Sequence, residues 1–233
     1  MILKKLAVVS AILLCMTVLN GTARADNITI ANASFESIAP GGLNIACTTG
    51  GGPSCAYNDG PIPGWSVISG GSFQPGTYFS SIPDGSLIGY VNATRSLTQD
   101  LTGQSVQANS QYTFSFYVGE RSDGSSGAYT ISLDTILGGV TSTLCMVSVK
   151  ANTIKPGTFQ LESCTYTSGG SGFPSGDLYL DFTANSGQLD VDNVGLTVQG
   201  VPEPSSVLLL GVGMFFLAAM MMARRKKELP LAA

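Results

Sequence analysis

The chain contains no histidine and a single tryptophan, and its central part is poor in basic residues. Without histidine, neither a Ser-His-Asp nor a Cys-His catalytic arrangement can form. Residues 26–200 carry four basic side chains against thirteen acidic ones, which gives a net charge of −9. Such a surface repels nucleic acid and favours cations such as calcium. The composition therefore excludes the common histidine-dependent hydrolases and predicts no nucleic-acid partner.

Cysteine is also scarce, and its spacing bears on the redox compartment. Cys15 lies in the apolar N-terminal run, which leaves four cysteines without any CxxC spacing. The lack of both CxxC and histidine disfavours zinc. An even number of cysteines in an exported chain indicates disulfides, for which three connectivities are possible. We favour Cys47–Cys55, which would close a Gly-rich loop, and Cys145–Cys164, which would join two neighbouring strands.

The N-terminus has the pattern of a secretory signal peptide. Two lysines precede an apolar run at residues 6–19, and Ala23-Arg24-Ala25 is a small-x-small cleavage site. We predict that signal peptidase removes residues 1–25, so that the mature chain begins at Asp26.

The C-terminus combines a proline-rich stop, an apolar run and a basic cluster. Pro202, Glu203 and Pro204 mark the end of the globular part, because two prolines in three residues cannot lie inside a helix. Residues 205–223 carry no charge, and as a transmembrane helix they would approach the thickness of a bilayer core. Residues 224–227 are all basic and would stay on the cytoplasmic side.

In order and spacing this tail, residues 201–233, resembles the PEP-CTERM sorting signal of Gram-negative bacteria that make exopolysaccharide. The resemblance implies that a membrane-embedded exosortase cuts near the Pro-Glu-Pro motif. The chain would pass through an inner-membrane intermediate and be released to the cell surface or the extracellular matrix. The alternative is a plain C-terminal membrane anchor.

The middle of the chain, residues 26–200, shows the two-residue alternation of β-strands and no 3.6-residue apolar repeat. The clearest strand is 111–119, in which Tyr112, Phe114 and Phe116 alternate with polar residues. A short first strand is predicted at 27–31. Similar runs, separated by glycine and proline turns, predict seven more strands: 86–91, 96–101, 128–137, 140–149, 158–167, 178–184 and 188–198. This pattern predicts one all-β domain, a jelly-roll β-sandwich, flanked by the signal peptide and the transmembrane helix.

Short motifs along this domain resemble, in the expected order, the jelly rolls of the galactose-binding-like and carbohydrate-binding-module superfamily. They are Asn32-x-Ser34-Phe35-Glu36, Gly64-Trp65, Leu97-Thr98-Gln99-Asp100-Leu101, Tyr112-Thr113-Phe114-Ser115-Phe116 and Val191-Asp192-Asn193-Val194-x-Leu196. In such jelly rolls a structural calcium often joins the opening and closing strands. The resemblance implies that Ser34, through its carbonyl, and the carboxylates of Glu36 and Asp192 bind calcium. The alternative is that both carboxylates only accept hydrogen bonds from backbone amides.

Aromatic rings with polar groups around them bind sugars in these modules. Tyr117 lies on the polar face of its predicted strand, and with Glu120 and Arg121 it forms the predicted ligand-binding set. Tyr78, Tyr90 and Tyr129 are further candidates. We expect the single tryptophan, Trp65, to pack in the core.

The sequence favours a protein without catalytic activity over an enzyme. We predict an exported, exopolysaccharide-associated protein with a carbohydrate-binding-like module. One alternative is an enzyme that resembles the secreted calcium-dependent cyclases of cyanobacteria, which would need carboxylates around an apolar pocket. The other is a purely structural surface protein.

Overall fold

Thirteen β-strands form two antiparallel sheets in the residues that the computed structural model describes, which are 25–48, 50–125, 127–201, 211–213, 215–216 and 220. All strands lie in one unit, Arg24–Gly200. The larger sheet contains β1 (Ala25–Ile28), β2 (Ile45–Ala46), β3 (Ala56–Tyr57), β5 (Gly70–Gln74), β6 (Ile88–Val91), β8 (Ser110–Glu120), β11 (Thr158–Thr167) and β13 (Leu189–Gly200). The smaller sheet contains β4 (Ser66–Val67), β7 (Arg95–Ser105), β9 (Tyr129–Leu137), β10 (Val140–Val149) and β12 (Asp177–Ala184).

The strand order is that of a jelly-roll sandwich. The larger sheet runs β11-β8-β13-β6-β5-β3-β2, with β1 also paired to β13. The smaller sheet runs β10-β9-β12-β7-β4. Neighbours that are distant in sequence, such as β13 between β8 and β6, bring the end of the domain to the middle of the sheet. The predicted all-β jelly-roll sandwich is therefore confirmed.

Alternating apolar residues of the two sheets fill the space between them. Phe114 and Phe116 of β8 and Phe182 of β12 are fully buried, with the Phe182 ring edge-on to both others at centroid distances of 5.7 and 5.4 Å. Each such burial is worth about 1.5–3 kcal/mol of folding free energy. The two-residue period of the sequence is thus the direct cause of the layered core.

Trp65 connects the opening segment to this core. Its ring stacks on Phe35 at 5.3 Å and meets Phe182 edge-on at 5.6 Å, and its indole N–H donates to the Asn32 carbonyl at 3.2 Å. The predicted core position of Trp65 is confirmed.

Both predicted disulfides are present. Cys47–Cys55 closes a short loop, with Cα atoms 5.4 Å apart. Cys145–Cys164 joins β10 to β11, which are the edge strands of the two different sheets, with Cα atoms 5.8 Å apart.

Two details of the strand predictions are wrong. The first strand is shifted to Ala25–Ile28, and the four short strands β2 to β5 were not predicted. The alternation expected across residues 188–196 fails after Asp192, where a bulge interrupts the pairing with β8. Asn193 adopts a left-handed φ of 47° and is exposed, while Val194 turns into the core. A bulge adds one residue to a strand, so the side chains beyond it change faces.

Most of the predicted signal peptide and C-terminal tail lies outside the residues that the structure describes. Residues 1–24 of the signal peptide, and Pro202, Glu203 and Pro204 of the sorting motif, lie outside the described residues. So does most of the predicted span at 205–223. Among the residues that the structure does describe, no helix has the length and apolarity needed to cross a membrane.

Candidate functional site

The larger sheet carries a second apolar cluster on the face that points away from the main core. In β6, Gly89 and Val91 face the core while Ile88 and Tyr90 face outward. Gly89 is required there, because a Cβ atom would lie 2.6 Å from the Phe35 ring. The outer cluster consists of Cys55, Phe73, Tyr78, Phe79, Ile88 and Tyr90.

The disulfide-closed loop packs against this outer cluster. Cβ atoms at Gly50 and Gly51 would both come within 2.9 Å of the Tyr78 ring, so only glycine permits this contact. The Gly51 carbonyl also accepts a hydrogen bond of 2.8 Å from the Thr77 amide. The Gly-rich loop that the Cys47–Cys55 disulfide closes therefore packs directly on the outer face of the sheet.

Between this loop and the sheet lies a cleft of about 290 Å³, here called the aromatic cleft. Four aromatic side chains contribute to its lining, together with polar groups that include one carboxylate and one guanidinium. The lining residues are Cys47, Thr48, Tyr57, Asp59, Phe73, Tyr78, Tyr90, Asn92, Arg121 and Gln188.

Arg121 lies against the aromatic lining. Its guanidinium carbon is 3.9 Å from the Tyr78 ring centroid and 5.6 Å from that of Phe73. The same guanidinium donates to Gln188 Oε1 at 3.2 Å and to Asp123 Oδ2 at 2.7 Å. A cation held over these rings shows that the cleft can stabilise positive charge by cation–π interaction.

Asp190 lies on the outward face of β13, close to Gln188 and Arg121. It pairs with Tyr90 on one side and Gly119 on the other, and it has no solvent exposure. Its Oδ1 accepts a 2.6 Å hydrogen bond from the Gln188 side-chain amide. Its Oδ2 has no hydrogen-bond partner in the described part of the chain.

The ionisation of Asp190 is shifted by this environment. Burial raises the pKa of its carboxyl from 3.8 to about 7, although the Gln188 hydrogen bond and the charge of Arg121 oppose the shift. A carboxyl group with this pKa is partly protonated at neutral pH and can act as a proton donor.

Tyr90 and Asp59 form a second polar pair in the aromatic cleft. The Tyr90 phenol donates to the Asp59 carboxylate. Burial, followed by this carboxylate, raises the pKa of Tyr90 well above its usual range. The phenol therefore stays neutral and keeps the hydrogen that it donates to Asp59. Asp59 therefore gives the cleft a carboxylate acceptor, and the buried acid Asp190 lies next to the lining residues Tyr90 and Gln188.

Two of the predicted metal ligands, Glu36 and Asp192, contact the same loop. Glu36 Oε1 accepts from the amides of Ser86 at 2.8 Å and Leu87 at 2.7 Å. Asp192 accepts from the Asp84 amide at 2.9 Å and from its neighbour Asn193 at 2.7 Å. Both carboxylates hold the 84–87 segment through backbone amides.

Two further acidic residues, Asp84 and Glu36, lie near Asp192. Burial raises the pKa of Asp192 to about 7, two backbone N–H bonds lower it, and Asp84 and Glu36 raise it further. Over the described ranges, no group of three or more His, Cys, Asp or Glu side chains is arranged to hold a metal ion.

The predicted ligand-binding set is only partly brought together. Arg121 lines the aromatic cleft, and so do the further candidates Tyr78 and Tyr90. Glu120, the last residue of β8, is buried, and burial followed by the charge of Asp123 raises its pKa. Tyr117 lies opposite Asp192 on β8 and is not among the residues lining the cleft. Tyr129 is buried in β9 of the other sheet.

The comparisons with known proteins agree with this fold. Residues 26–197 match the family model HpiC1-like, described as HpiC1 cyclase. The chain belongs to the HpiC1-like family. A crystal structure of a Stig cyclase, Fisc, from Fischerella sp. TAU in complex with (3Z)-3-(1-methyl-2-pyrrolidinylidene)-3H-indole is similar, with a TM-score of 0.60 and 20% identity. The match covers 76% of this chain and 100% of that one.

Two further solved structures are similar to this HpiC1-like chain. A cyclase from Fischerella sp. TAU in complex with 4-(1H-indol-3-yl)butan-2-one has a TM-score of 0.57 and 20% identity, over 76% of this chain and 98% of that one. The CBM22-1 xylan-binding domain from Paenibacillus barcinonensis Xyn10C has a TM-score of 0.45 and 12% identity, over 76% and 97%. No curated protein matches the chain significantly.

The tail of this HpiC1-like chain is also matched. Residues 200–226 fit the PEP-CTERM protein-sorting motif. The predicted sorting signal is therefore confirmed, and it implies export with processing by an exosortase.

Sequence reasoning did not identify the aromatic cleft. Tyr57 and Phe73 lie on strands of two and five residues, which are too short to show a period. Asp190 lies within the strand predicted at 188–198, where only Asp192 was assigned a role. The available signal was the Gln188-x-Asp190 spacing, which puts an amide donor and a carboxylate on one side of a strand.

Proposed function

We propose that this chain is an exported enzyme of the cyclase type, which uses Asp190, next to the aromatic cleft, as its proton donor. The observation that carries the proposal is a fully buried carboxyl group, with a pKa raised to about 7, beside a cleft lined by aromatic rings. The sequence contains no histidine to act as the acid, and a buried carboxyl with a raised pKa is suited to this role.

The residues of the cleft divide the chemistry between them. The Asp190 O–H would transfer its proton to an electron-rich carbon of the substrate, which leaves a carboxylate and a cationic intermediate. The carboxylate is stabilised by the Gln188 amide and the nearby Arg121 charge. The Tyr57 ring would stabilise the cation through its π face, because Arg121 already lies over Tyr78 and Phe73. After ring closure, the intermediate would lose a proton to the Asp190 carboxylate. This step regenerates the acid and leaves a neutral product.

Family membership supports the reaction class, and the similar structures suggest a substrate class. Both Fischerella cyclases described above hold an indole compound. An indole ring is electron-rich, accepts a proton on carbon, and has a size and flatness that suit an aromatic cleft. We therefore take indole-bearing molecules as the first substrates to test.

Deuterium exchange tests the proposal without knowledge of the natural substrate. Indole is incubated with the protein in D₂O near neutral pH, and loss of the C3–H signal is followed by NMR. Asp190 in its deuterated form should accelerate the exchange, and Asp190→Asn should lose that acceleration. Asp100→Asn, an exposed carboxylate on the other sheet, is the control. Equal exchange by the wild type and Asp190→Asn would overturn the proposal.

Polysaccharide binding in the same cleft is the second candidate function. It is supported by the polar groups around the aromatic rings, which include Asp59, Asn92 and Gln188. Such groups could hydrogen-bond sugar hydroxyls while the rings stack on them, and the PEP-CTERM tail directs the protein to a surface where polysaccharide is present. A glycan array on the exported protein, with Tyr78→Ala as the cleft variant, tests this function. Binding that Tyr78→Ala leaves unchanged would contradict it.

Calcium at Ser34, Glu36 and Asp192 is a separate structural proposal. It is supported by the donor set, because Glu36 and Asp192 converge on one loop with Asp84 near Asp192. Glu36 Oε2 and both Asp192 oxygens each keep a lone pair beside the hydrogen bond that they accept, so these bonds leave room for a hard cation. Calcium there would fix the opening segment to β13, and it has no part in the proton transfer.

A further inference from the structure

The outer face of the smaller sheet brings two carboxylates onto neighbouring strands. Leu133 of β9 and Leu180 of β12 point into the core, so the alternate residues point outward. Asp181 of β12 lies directly opposite Ser132 of β9, and Asp134 is the next outward residue along β9. The two acidic side chains are therefore diagonal neighbours on one surface.

Hydroxyl groups around these carboxylates already use their hydrogens within the group. The Ser132 hydroxyl donates to Asp134 Oδ2 at 2.7 Å, and the Thr183 hydroxyl donates to Asp181 Oδ1 at 2.7 Å. Ser96 of β7 lies 2.6 Å from the Thr183 hydroxyl. The surface is thus a cluster of oxygen atoms in which the Ser132 and Thr183 hydroxyls already donate to its carboxylates.

One oxygen of this cluster is left without a partner. Asp134 is 3% exposed, and its Oδ1 has no hydrogen-bond partner within the described ranges. In the same part of the chain the ion pair found joins Arg121 to Asp123 and involves neither carboxylate of the cluster. An ionised carboxylate that is buried without compensation is strongly unfavourable.

The pKa of the neighbouring acid, Asp181, is consistent with an excess of negative charge on this surface. Burial raises the pKa of Asp181, the Thr183 hydroxyl lowers it, and the charge of Asp134 raises it again. The two carboxylates are therefore close enough to repel each other.

We propose that this surface binds a hard divalent cation of the calcium type between Asp134 and Asp181. All of its donors are oxygen atoms, which are the ligands that calcium prefers, and there is no histidine or cysteine to favour zinc. The cation would contact the free Asp134 oxygen, and hydroxyl groups and water would complete its shell. This site is on a different sheet from Glu36 and Asp192, and it does not depend on the proposed enzymatic function.

The expected affinity is modest, because the site supplies only two carboxylates. Calcium sites of extracellular modules have dissociation constants of roughly 10⁻⁴ to 10⁻³ M, and we expect a value in this range. Such a site would be filled in calcium-rich surroundings outside the cell and empty at cytosolic calcium levels.

Calcium titration by calorimetry on the full-length chain tests the site. Asp134→Asn and Asp181→Asn should each weaken one class of sites at least tenfold. Glu36→Gln should leave that class unchanged, because Glu36 lies at the other proposed site. Melting temperatures without calcium show whether each variant is folded.

Terbium gives a second and independent reading. Tyr179 lies directly opposite Asp134, so its excitation should sensitise terbium bound at this site. In a Glu36→Gln background, which removes the other proposed site near Tyr117, Asp181→Asn should remove the sensitised emission. Tyr179→Phe should reduce the emission while calcium affinity is kept. If folded Asp134→Asn and Asp181→Asn bind calcium with wild-type affinity and stoichiometry, the proposal is wrong. If Asp134→Asn does not fold, Asp181→Asn alone decides the outcome.

Discussion

The Gln188 side-chain amide donates a 2.6 Å hydrogen bond to the buried carboxyl of Asp190, and its own oxygen accepts from Arg121 at 3.2 Å. Gln188 therefore links the charged edge of the aromatic cleft to an acid that has no solvent exposure. The bond leaves the other Asp190 oxygen free, and that oxygen is where a transferable proton can reside.

Replacement of Asp190 should abolish proton-transfer activity while the fold is kept. Asp190→Asn preserves the size and the hydrogen bond to Gln188, but it cannot donate an acidic proton. We expect a loss of about 10²–10⁴-fold in the rate of indole exchange, as is usual for removal of a general acid. The wild-type rate should fall as the pH rises through about 7, because the acid form is then lost. A rate that does not change with pH between 5 and 9 would contradict the assignment.

Folding stability should decrease between about pH 4 and pH 7. The folded-state pKa values of Asp190 and Asp192, each about 7, lie above the ordinary 3.8. In this interval the folded protein binds more protons than the unfolded chain, so stability is full at low pH and is lost as the pH rises through 7. Each pKa unit corresponds to about 1.4 kcal/mol.

Urea denaturation in the presence of chelator measures this effect. Asp190→Asn and Asp192→Asn should each flatten the dependence of the unfolding free energy on pH. A stability that instead rises steadily from pH 4 to pH 7, with the same slope in both variants, would show that the two carboxyl groups are ionised in the folded protein.

The Cys47–Cys55 disulfide should matter for binding as well as for stability. Its eight-residue separation predicts about 2–3 kcal/mol of stabilisation, and removal should also loosen the loop that packs on Tyr78. We expect the Cys47→Ser/Cys55→Ser variant to lose affinity for indole or sugar ligands at least tenfold.

The second disulfide offers a matched control. Cys145–Cys164 spans nineteen residues between edge strands, so its removal should cost a similar free energy. Ligand affinity should be unchanged in Cys145→Ser/Cys164→Ser, because neither residue lines the cleft. Equal loss of affinity in both variants would mean that the loop has no special part in binding.

Calcium bound at Ser34, Glu36 and Asp192 should raise the melting temperature. Glu36→Ala removes one carboxylate and the contacts to the Ser86 and Leu87 amides, so it should lower stability and reduce the calcium-dependent rise. Combination with Asp134→Asn should abolish the rise that remains. Differential scanning calorimetry with calcium and with chelator gives both values. An unchanged calcium response in Glu36→Ala would remove Glu36 from the ligand set.

The sequence predicted those parts of the structure that depend on local periodicity. Strands β10 and β11 were predicted at their observed bounds, since ten-residue alternation defines a strand and its faces. The disulfides followed from the parity of the cysteines and the strands that carry them. The core position of Trp65 followed from its size and its place beside a strand.

The candidate site could not be predicted in the same way, because it depends on contacts between distant residues. Tyr57, Tyr90 and Gln188 meet only after β3, β6 and β13 join one sheet, and no local pattern encodes that order. The raised pKa of Asp190 is likewise a result of burial rather than of its sequence neighbours. The bulge after Asp192 depends on a single left-handed residue, which a two-residue period cannot indicate.

The protonation state of Asp190 is the central claim, and ¹³C NMR titration of aspartate carboxyl groups measures it directly. The signal is assigned by its absence from Asp190→Asn and its presence in Asp192→Asn. We predict a titration midpoint near 7, which should move when indole occupies the cleft. A midpoint near the ordinary 3.8 would mean that Asp190 is ionised at neutral pH, and it would rule out the proposed proton donor.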